Sequence, residues 1–274
     1  MLVLGTALWN ESATHATPIR QPTGERMSSS SIVSSEELDA FLASYVGMQG
    51  NPGAPIWLCD VSPHANSTRL VTPLEPLRTP AVWDSNFRQR NRDDMSRWLN
   101  HQKAARIMAS AYRTAHDVAE SDWKDYFWDQ LYAPSGGDFW LSLFPLPARS
   151  GASRCWSATH RGQPALNPQN RYIDLCRVGG RFRYLAELRQ RMAPKIIVCF
   201  GPRHADDFLH AFGFTGTASS EVVLQPADLP KRLHIFTQGD ATLVVAPLLG
   251  GAAGLNSDVL QYALGQYIGE LLKG

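Results

Sequence analysis

The first group of residues with the potential for chemistry lies in a loop that directly follows a short apolar run. The loop surrounds a proline with a carboxylate, an imidazole and two hydrogen-bonding side chains, in the order Asp60, Ser62, Pro63, His64 and Asn66. At the end of a buried strand, Asp60 could act as a base or stay charged and stabilise a cation. His64 could serve as an acid, a base or an anion contact. Asp60 and Asn66 are also common turn residues, so an ordinary turn is the alternative.

A second loop, near the other end of the chain, is rich in glycine and precedes a predicted helix. The backbone N–H groups of Gly250 and Gly251, with Asn256 at the helix start, could hold a phosphate. The loop lacks the Lys-Ser/Thr pair of a Walker A motif, which argues against a nucleoside-triphosphate site. Leu248 and Leu249 stand on the same loop and could insert into a base stack, unless both pack into the core.

Both loops follow runs that are typical of buried parallel strands. In an open α/β sheet the ligand crevice lies outside the carboxyl ends of such strands. Phe144 ends a further predicted strand, where it could stack on a base or pack in the core. Arg203 follows a third strand, although Pro202 at the first helical position suffices to explain that segment. Arg154 lies in a long predicted loop over 148–170 that also carries Arg149, His160 and Arg161.

The elements that must position these residues alternate between strands and helices. Core strands are predicted at 55–60, 138–144, 195–200 and 242–246, with weaker strands at 221–225 and 233–236. This order predicts an α/β fold of three layers, α/β/α, around a central, mostly parallel sheet of four to five strands. Residues 34–274 are predicted to form a single domain. Residues 1–33, rich in Ser, Thr, Pro and Gln, are predicted to be a disordered extension with Met27 as an alternative start.

Charge is unevenly distributed along a chain whose formal net charge is only +1. Lys and Arg outnumber Asp and Glu in residues 85–113 and 149–195, and the balance reverses in 204–274. This segregation permits a basic face on a nearly neutral protein, although solvated helix faces give the same pattern. The four cysteines form no CxxC pair, so we expect reduced thiols in a cytoplasmic protein, with no metal and no other cofactor. No apolar stretch reaches the roughly 20 residues of a membrane helix.

The order and spacing of these segments over residues 50–274 resemble the uracil-DNA glycosylase superfamily. The matching segments are a proline-bearing water-activating loop at 60–64, a base-reading strand at 140–145, a third strand leading into a glycine at 195–201, and a loop with an intercalating leucine at 246–249. The resemblance implies a monomeric hydrolase that flips a nucleotide out of double-stranded DNA. It would cleave the N-glycosidic bond of that nucleotide and leave an abasic site.

Several matched positions depart from the pattern of the superfamily. Its catalytic Asp falls nearest Ser62, unless Asp60 takes that role, and its base-reading Asn falls at Ser142. The His of its last loop falls at Ala246. Loss of the amide and the imidazole argues against uracil as the substrate. The long loops could surround a larger base, such as the glucosylated hydroxymethylcytosine of phage DNA, as in anti-phage glycosylases that remove bulky, sugar-modified cytosines.

The resemblance also assigns roles to the residues of both loops. Asp60 would stabilise the oxocarbenium-like deoxyribose or orient water, while His64 or donors from the last loop would stabilise the departing base. The residues expected to contact the base are Pro63, Asn66, Ser142 and Phe144. Arginines of 88–113 and 149–191 would neutralise phosphates. The residues expected to contact DNA are Arg154, Arg203, Leu248, Leu249, Gly250, Gly251 and Asn256. Two alternatives stay open: a catalytically inactive nucleic-acid-binding member of the superfamily, and an unrelated nucleotide or sugar hydrolase.

Overall fold

The computed structural model describes residues 32–63, 74–118, 122–146, 156–225 and 230–274. The predicted extension at 1–33 therefore lies almost wholly outside the described residues, as do His64, Asn66 and Arg154 of the candidate sites. The helices are α1 (Ser35–Leu42), α2 (Ser85–Met95), α3 (Leu99–His116), α4 (Trp123–Asp125), α5 (Trp156–Thr159), α6 (Gln169–Val178), α7 (Gly180–Met192), α8 (Ala205–Phe212) and α9 (Asp258–Lys273). A π-helical turn, Tyr126–Gln130, follows α4, and a 3-10 turn, Pro202–His204, precedes α8.

The strands form one mixed sheet with helices on both sides, which confirms the α/β class. They are β1 (Met48–Gly50), β2 (Ile56–Asp60), β3 (Asp138–Ser142), β4 (Ile196–Phe200), β5 (Ser219–Leu224), β6 (Lys231–Gln238) and β7 (Ala241–Ala246). The spatial order is β1-β3-β2-β4-β7-β6-β5. The four central strands, β3, β2, β4 and β7, are parallel, and the remaining three pair antiparallel at the two edges. The sheet thus has seven strands where four to five were predicted.

The two faces of the sheet pack against different helices. Every residue of β2 is buried, as expected for a strand covered on both sides. Trp57 and Cys59 face a core shared with α1, α6, α7 and α8, whereas Ile56 and Leu58 face a core shared with α3 and α9. Because side chains alternate along a strand, the next residue, Asp60, falls on the α3 and α9 face.

The α3 and α9 helices lie in close contact with each other. Both begin near the loop that follows β7, at the carboxyl end of the central strands. A Cβ at Gly265 of α9 would overlap the Ile107 carbonyl of α3, so only glycine permits this approach. Ser257 caps α9 by accepting the Leu260 N–H at 3.3 Å, which fixes where the helix begins after the last loop. Within the described residues, no helix is both long and apolar enough to cross a bilayer.

Candidate active site

The carboxyl ends of the central strands place four side chains in one row. Ser142 pairs with Asp60, Asp60 pairs with Phe200, and Phe200 pairs with Ala246 in the parallel register. Neighbouring strands lie about 4.8 Å apart, so roughly 10 Å separates the backbones of Asp60 and Ala246. The register therefore brings Asp60, Ser142 and Ala246 together on the face of the sheet that packs against α3 and α9.

Asp60 is a buried carboxylate held in a fixed orientation at this edge. Only 9% of the residue is exposed, and its Oδ1 accepts the Val61 N–H at 2.7 Å. Beyond the strands, the Leu143 N–H donates to the Asp60 carbonyl at 2.8 Å and the Phe144 N–H to the Val61 carbonyl at 2.9 Å. These bonds extend the β2–β3 pairing into the loops, and the half-buried Ser62 and Pro63 follow directly.

The loops that follow β2, β4 and β7 meet at Gly201. Its φ of +131° is a conformation that side-chain-bearing residues rarely adopt, and its N–H donates to the Ala246 carbonyl at 2.9 Å. A Cβ at this position would lie 2.9 Å from Val61 Cγ2 and 3.3 Å from Leu248 Cδ2. Segments from opposite ends of the chain are therefore in contact at the edge that carries Asp60.

The two leucines of the last loop have opposite environments. Leu248 is 46% exposed, whereas Leu249 is 3% exposed and packs in the core with α3 and α9. Leu249 therefore packs into the core, which is the alternative that the sequence left open, and its side chain is not accessible to a base stack. The adjacent carbonyl of Leu249 accepts a hydrogen bond of 2.5 Å from Lys103 Nζ, which fixes the loop to α3.

The rest of this loop is held together by its own hydrogen bonds. Asn256 donates from its side-chain amide to the Gly251 carbonyl, and the Leu255 N–H donates to the Leu248 carbonyl at 2.8 Å. Gly251 and Asn256 are exposed and Gly250 is half-buried, so the backbone of the loop can be approached from solvent. The exposed Leu248 thus projects from a braced loop.

Phe144 lies on the opposite face of the sheet from Asp60. It is 3% exposed and packs against Phe182, Tyr172 and His204, with ring centroids 5.8, 6.4 and 6.0 Å away. The predicted role of Phe144 in stacking on a base does not fit this position, because its ring is already enclosed by core side chains. Ser142, the member of the row on β3, is 2% exposed and is therefore hardly accessible from solvent.

Several arginines predicted to bind phosphates are used inside the protein instead. Arg181 is fully buried and donates to five backbone carbonyls, among them that of Ser142. Arg88 donates to three carbonyls around the π-helical turn, and Arg189 donates to the Phe212 carbonyl. Arg203 is exposed on the 3-10 turn directly after Gly201, so this predicted DNA contact is accessible.

Sequence reasoning missed a charged group beside the same edge. Asp207 is only 9% exposed and accepts a hydrogen bond from Arg177 Nε at 2.7 Å. Its Oδ2 lies 3.2 Å from Nδ1 of His204. Burial alone would raise the pKa of Asp207, but the hydrogen bonds from Arg177 and His204 outweigh burial and lower it. The three-residue spacing of His204 and Asp207 at a helix start was the available signal.

Comparison with models of known protein families gave no match, and no curated protein was significantly similar to the chain. The function is therefore argued from the geometry of this edge.

Proposed function

We propose that this protein is a DNA glycosylase that flips a modified base out of double-stranded DNA and excises it, leaving an abasic site. The observation that carries the proposal is the meeting of three strand-end loops at Gly201, which sets the buried Asp60 and the exposed Leu248 at one edge of the sheet. The four central parallel strands with helices on both faces also support the three-layer, glycosylase-like arrangement that the sequence suggested.

Asp60 has the properties that cleavage of an N-glycosidic bond requires of a carboxylate. Cleavage develops positive charge on the deoxyribose, and a negative group in a water-poor site stabilises that charge more strongly than one in water. The low exposure of Asp60 provides such a site, and its hydrogen bond from the Val61 N–H fixes the direction of the carboxylate. Asp60 would stabilise the cation or orient the attacking water.

Leu248 has the properties of a wedge. Extruding a nucleotide costs a few kcal/mol, and an apolar side chain that fills the vacated space offsets part of that cost. Such a side chain must be exposed, and Leu248 is 46% exposed. Its loop must also hold it in place, and the hydrogen bonds that Lys103 and the Leu255 N–H donate to the loop backbone do so. Arg203 is exposed on the adjoining loop and would contact a phosphate.

The row of strand-end residues supports a substrate other than uracil. Ser142 and Ala246 offer a hydroxyl and a methyl group at the positions where the resemblance implies an amide and an imidazole. At these two described positions, the donors that would read a small pyrimidine are replaced. We therefore propose a bulky base, with glucosylated hydroxymethylcytosine as the first to test.

The test uses duplexes that carry one uracil, hydroxymethylcytosine or glucosylated hydroxymethylcytosine, followed by alkali to cut abasic sites. We expect strand cleavage with the modified cytosine, and a loss of about 10²–10³-fold in Asp60→Asn. Asp206→Asn is the matched control, because Asp206 is an exposed carboxylate near the same edge. Absence of cleavage by the wild type on every substrate, or equal rates for the Asp60 variant and its control, would refute the proposal.

A second candidate is a nucleic-acid-binding member without catalysis, which the lack of an amide and an imidazole at Ser142 and Ala246 favours. It predicts DNA binding that weakens with salt and no base release. Binding of free nucleotide without affinity for DNA would instead indicate a nucleotide or sugar hydrolase.

A further inference from the structure

A histidine and a tyrosine form a polar pair among aromatic rings on the Asp60 face of the sheet. Nδ1 of His101, in the first turn of α3, lies 3.2 Å from the hydroxyl of Tyr132. Three tryptophans surround the imidazole, with ring centroids between 5.2 and 6.0 Å away: Trp83, Trp98 and Trp140. His101 is half-buried, while Tyr132 is fully buried.

Tyr132 points along the sheet toward the row that contains Asp60. Its N–H donates to Asp138 Oδ1 at 2.8 Å, at the start of β3, and its hydroxyl reaches His101. His101 packs against Trp140, two residues further along β3. Trp140 in turn stacks on Phe200, which is the neighbour of Asp60 in the row. The His101–Tyr132 pair therefore lies on the face that bears the carboxylate and is joined to the row through Trp140 and Phe200.

The charges around the pair link it to Asp60. Burial and the negative charges of Asp138 and Asp60 raise the pKa of Tyr132 well above its usual value, so its hydroxyl keeps its proton. That hydroxyl can donate a hydrogen bond to neutral His101 or accept a hydrogen bond from the charged imidazole. Arg88 also borders this cluster, where it donates to the Leu131 carbonyl and lies 5.8 Å from the centroid of the Trp83 ring. Asp138, which accepts the Tyr132 N–H, has a pKa that burial raises to about 6. Imidazoles also change charge near neutral pH, so His101 is a second group of this cluster that can do so.

We propose that His101 is a positioning residue of the active site, which acts through Tyr132 and Trp140 to set the charge near Asp60. When the imidazole is protonated, its positive charge stabilises the ionised carboxylate; when it is neutral, that contribution disappears. This inference rests on the proposed glycosylase function, but the coupling between His101 and Asp60 can be measured without DNA.

The first experiment follows the titration of the Asp60 carboxyl by NMR in the wild type, His101→Gln and Tyr132→Phe. The control is His116→Gln, because His116 is exposed at the opposite end of the same helix. We expect Asp60 to titrate about one pH unit higher in His101→Gln, since one positive charge is lost from a partly buried site. Tyr132→Phe keeps the ring, removes the hydroxyl and should shift the titration of Asp60, while His116→Gln should leave it unchanged.

The second experiment measures the pH dependence of base release. In His101→Gln the acid limb should move upward with the titration of Asp60, and kcat should fall about tenfold or more at unchanged KM, because the reacting group is misplaced. An unshifted Asp60 titration in both folded variants overturns the inference, even if Asp60→Asn abolishes base release and the glycosylase function stands. A shifted titration in a protein that releases no base supports the coupling and overturns the function instead.

Discussion

Replacing Gly201 with alanine should lower the stability of the fold and disturb the candidate site. The reason is that this glycine lies in contact with the loop that follows Asp60 and with the loop that carries Leu248. A side chain at φ +131° costs about 1–3 kcal/mol in backbone strain. The added Cβ would lie 2.9 Å from Val61 Cγ2 and 3.3 Å from Leu248 Cδ2, and relieving that crowding costs about 1–3 kcal/mol more. We expect Gly201→Ala to lose roughly 2–6 kcal/mol of unfolding free energy.

Alanine substitutions at two other glycines distinguish the cost of backbone strain from the cost of crowding. Gly213 also has a positive φ, of +70°, but a Cβ there meets only Arg189 Nη1 at 3.6 Å, so Gly213→Ala should lose about 1–2 kcal/mol. Gly250 lies in the last loop with nothing within 4 Å of an added Cβ, and Gly250→Ala should change stability by less than about 0.5 kcal/mol.

Urea titration of the three variants gives the unfolding free energies, and the glycosylase assay gives the rates of base release. Gly201→Ala should be the least stable of the three and the only one with slow base release at a temperature where all are folded. Equal stability of the Gly201 and Gly213 variants, together with wild-type base release, would refute the argument that three loops converge at this position.

Three more predictions follow from exposed and buried groups. Leu248→Ala should slow base release on duplex DNA about tenfold and have little effect on single-stranded substrate. The control is Val259→Ala, which changes a similarly exposed side chain of α9 and should leave base release unchanged on both substrates. The pKa of Asp207 is lowered in the folded state, so its ion pair with Arg177 adds stability above pH 4 that is lost as the pH falls further. In urea titrations from pH 6 to pH 3, Asp207→Asn should therefore lose less unfolding free energy than the wild type. Burial raises the pKa of Asp138 to about 6, so the wild type should gain stability as the pH falls from 7 toward 4, and Asp138→Asn should remove that gain.

The sequence predicts the parallel centre of the sheet well because its strands are short, continuous apolar runs that end at proline or glycine loops. β2 and β4 are buried along their whole length, so packing and local propensity agree there. β1 was missed because it has only three residues, one of them glycine. β5 alternates poorly between exposed and buried positions, so its pairing with β6 depends on the sheet already present.

The sequence predicts the parts of the candidate site whose position follows from the order of the strands. It does not predict whether a given side chain is buried in the core or exposed to solvent. Asp60 and the last loop follow strands, so their meeting at one edge follows from a parallel sheet. Nothing local distinguishes Leu248 from Leu249, and only the packing of α3 and α9 buries the second. His101 and Tyr132 are 31 positions apart in sequence, and no motif joins them.

The chemistry that this edge can perform follows from the single charge in its row. Asp60 stands between the hydroxyl of Ser142 and the ring of Phe200, with the methyl group of Ala246 beyond. At an effective dielectric constant near 20, a carboxylate about 4 Å from a cation is worth about 4 kcal/mol, which is close to a thousandfold in rate. Under the proposed function, the row would therefore stabilise the sugar cation more than the departing base. That bias would suit a bulky substrate, because fewer donors would be needed at the ends of the strands to read its edge.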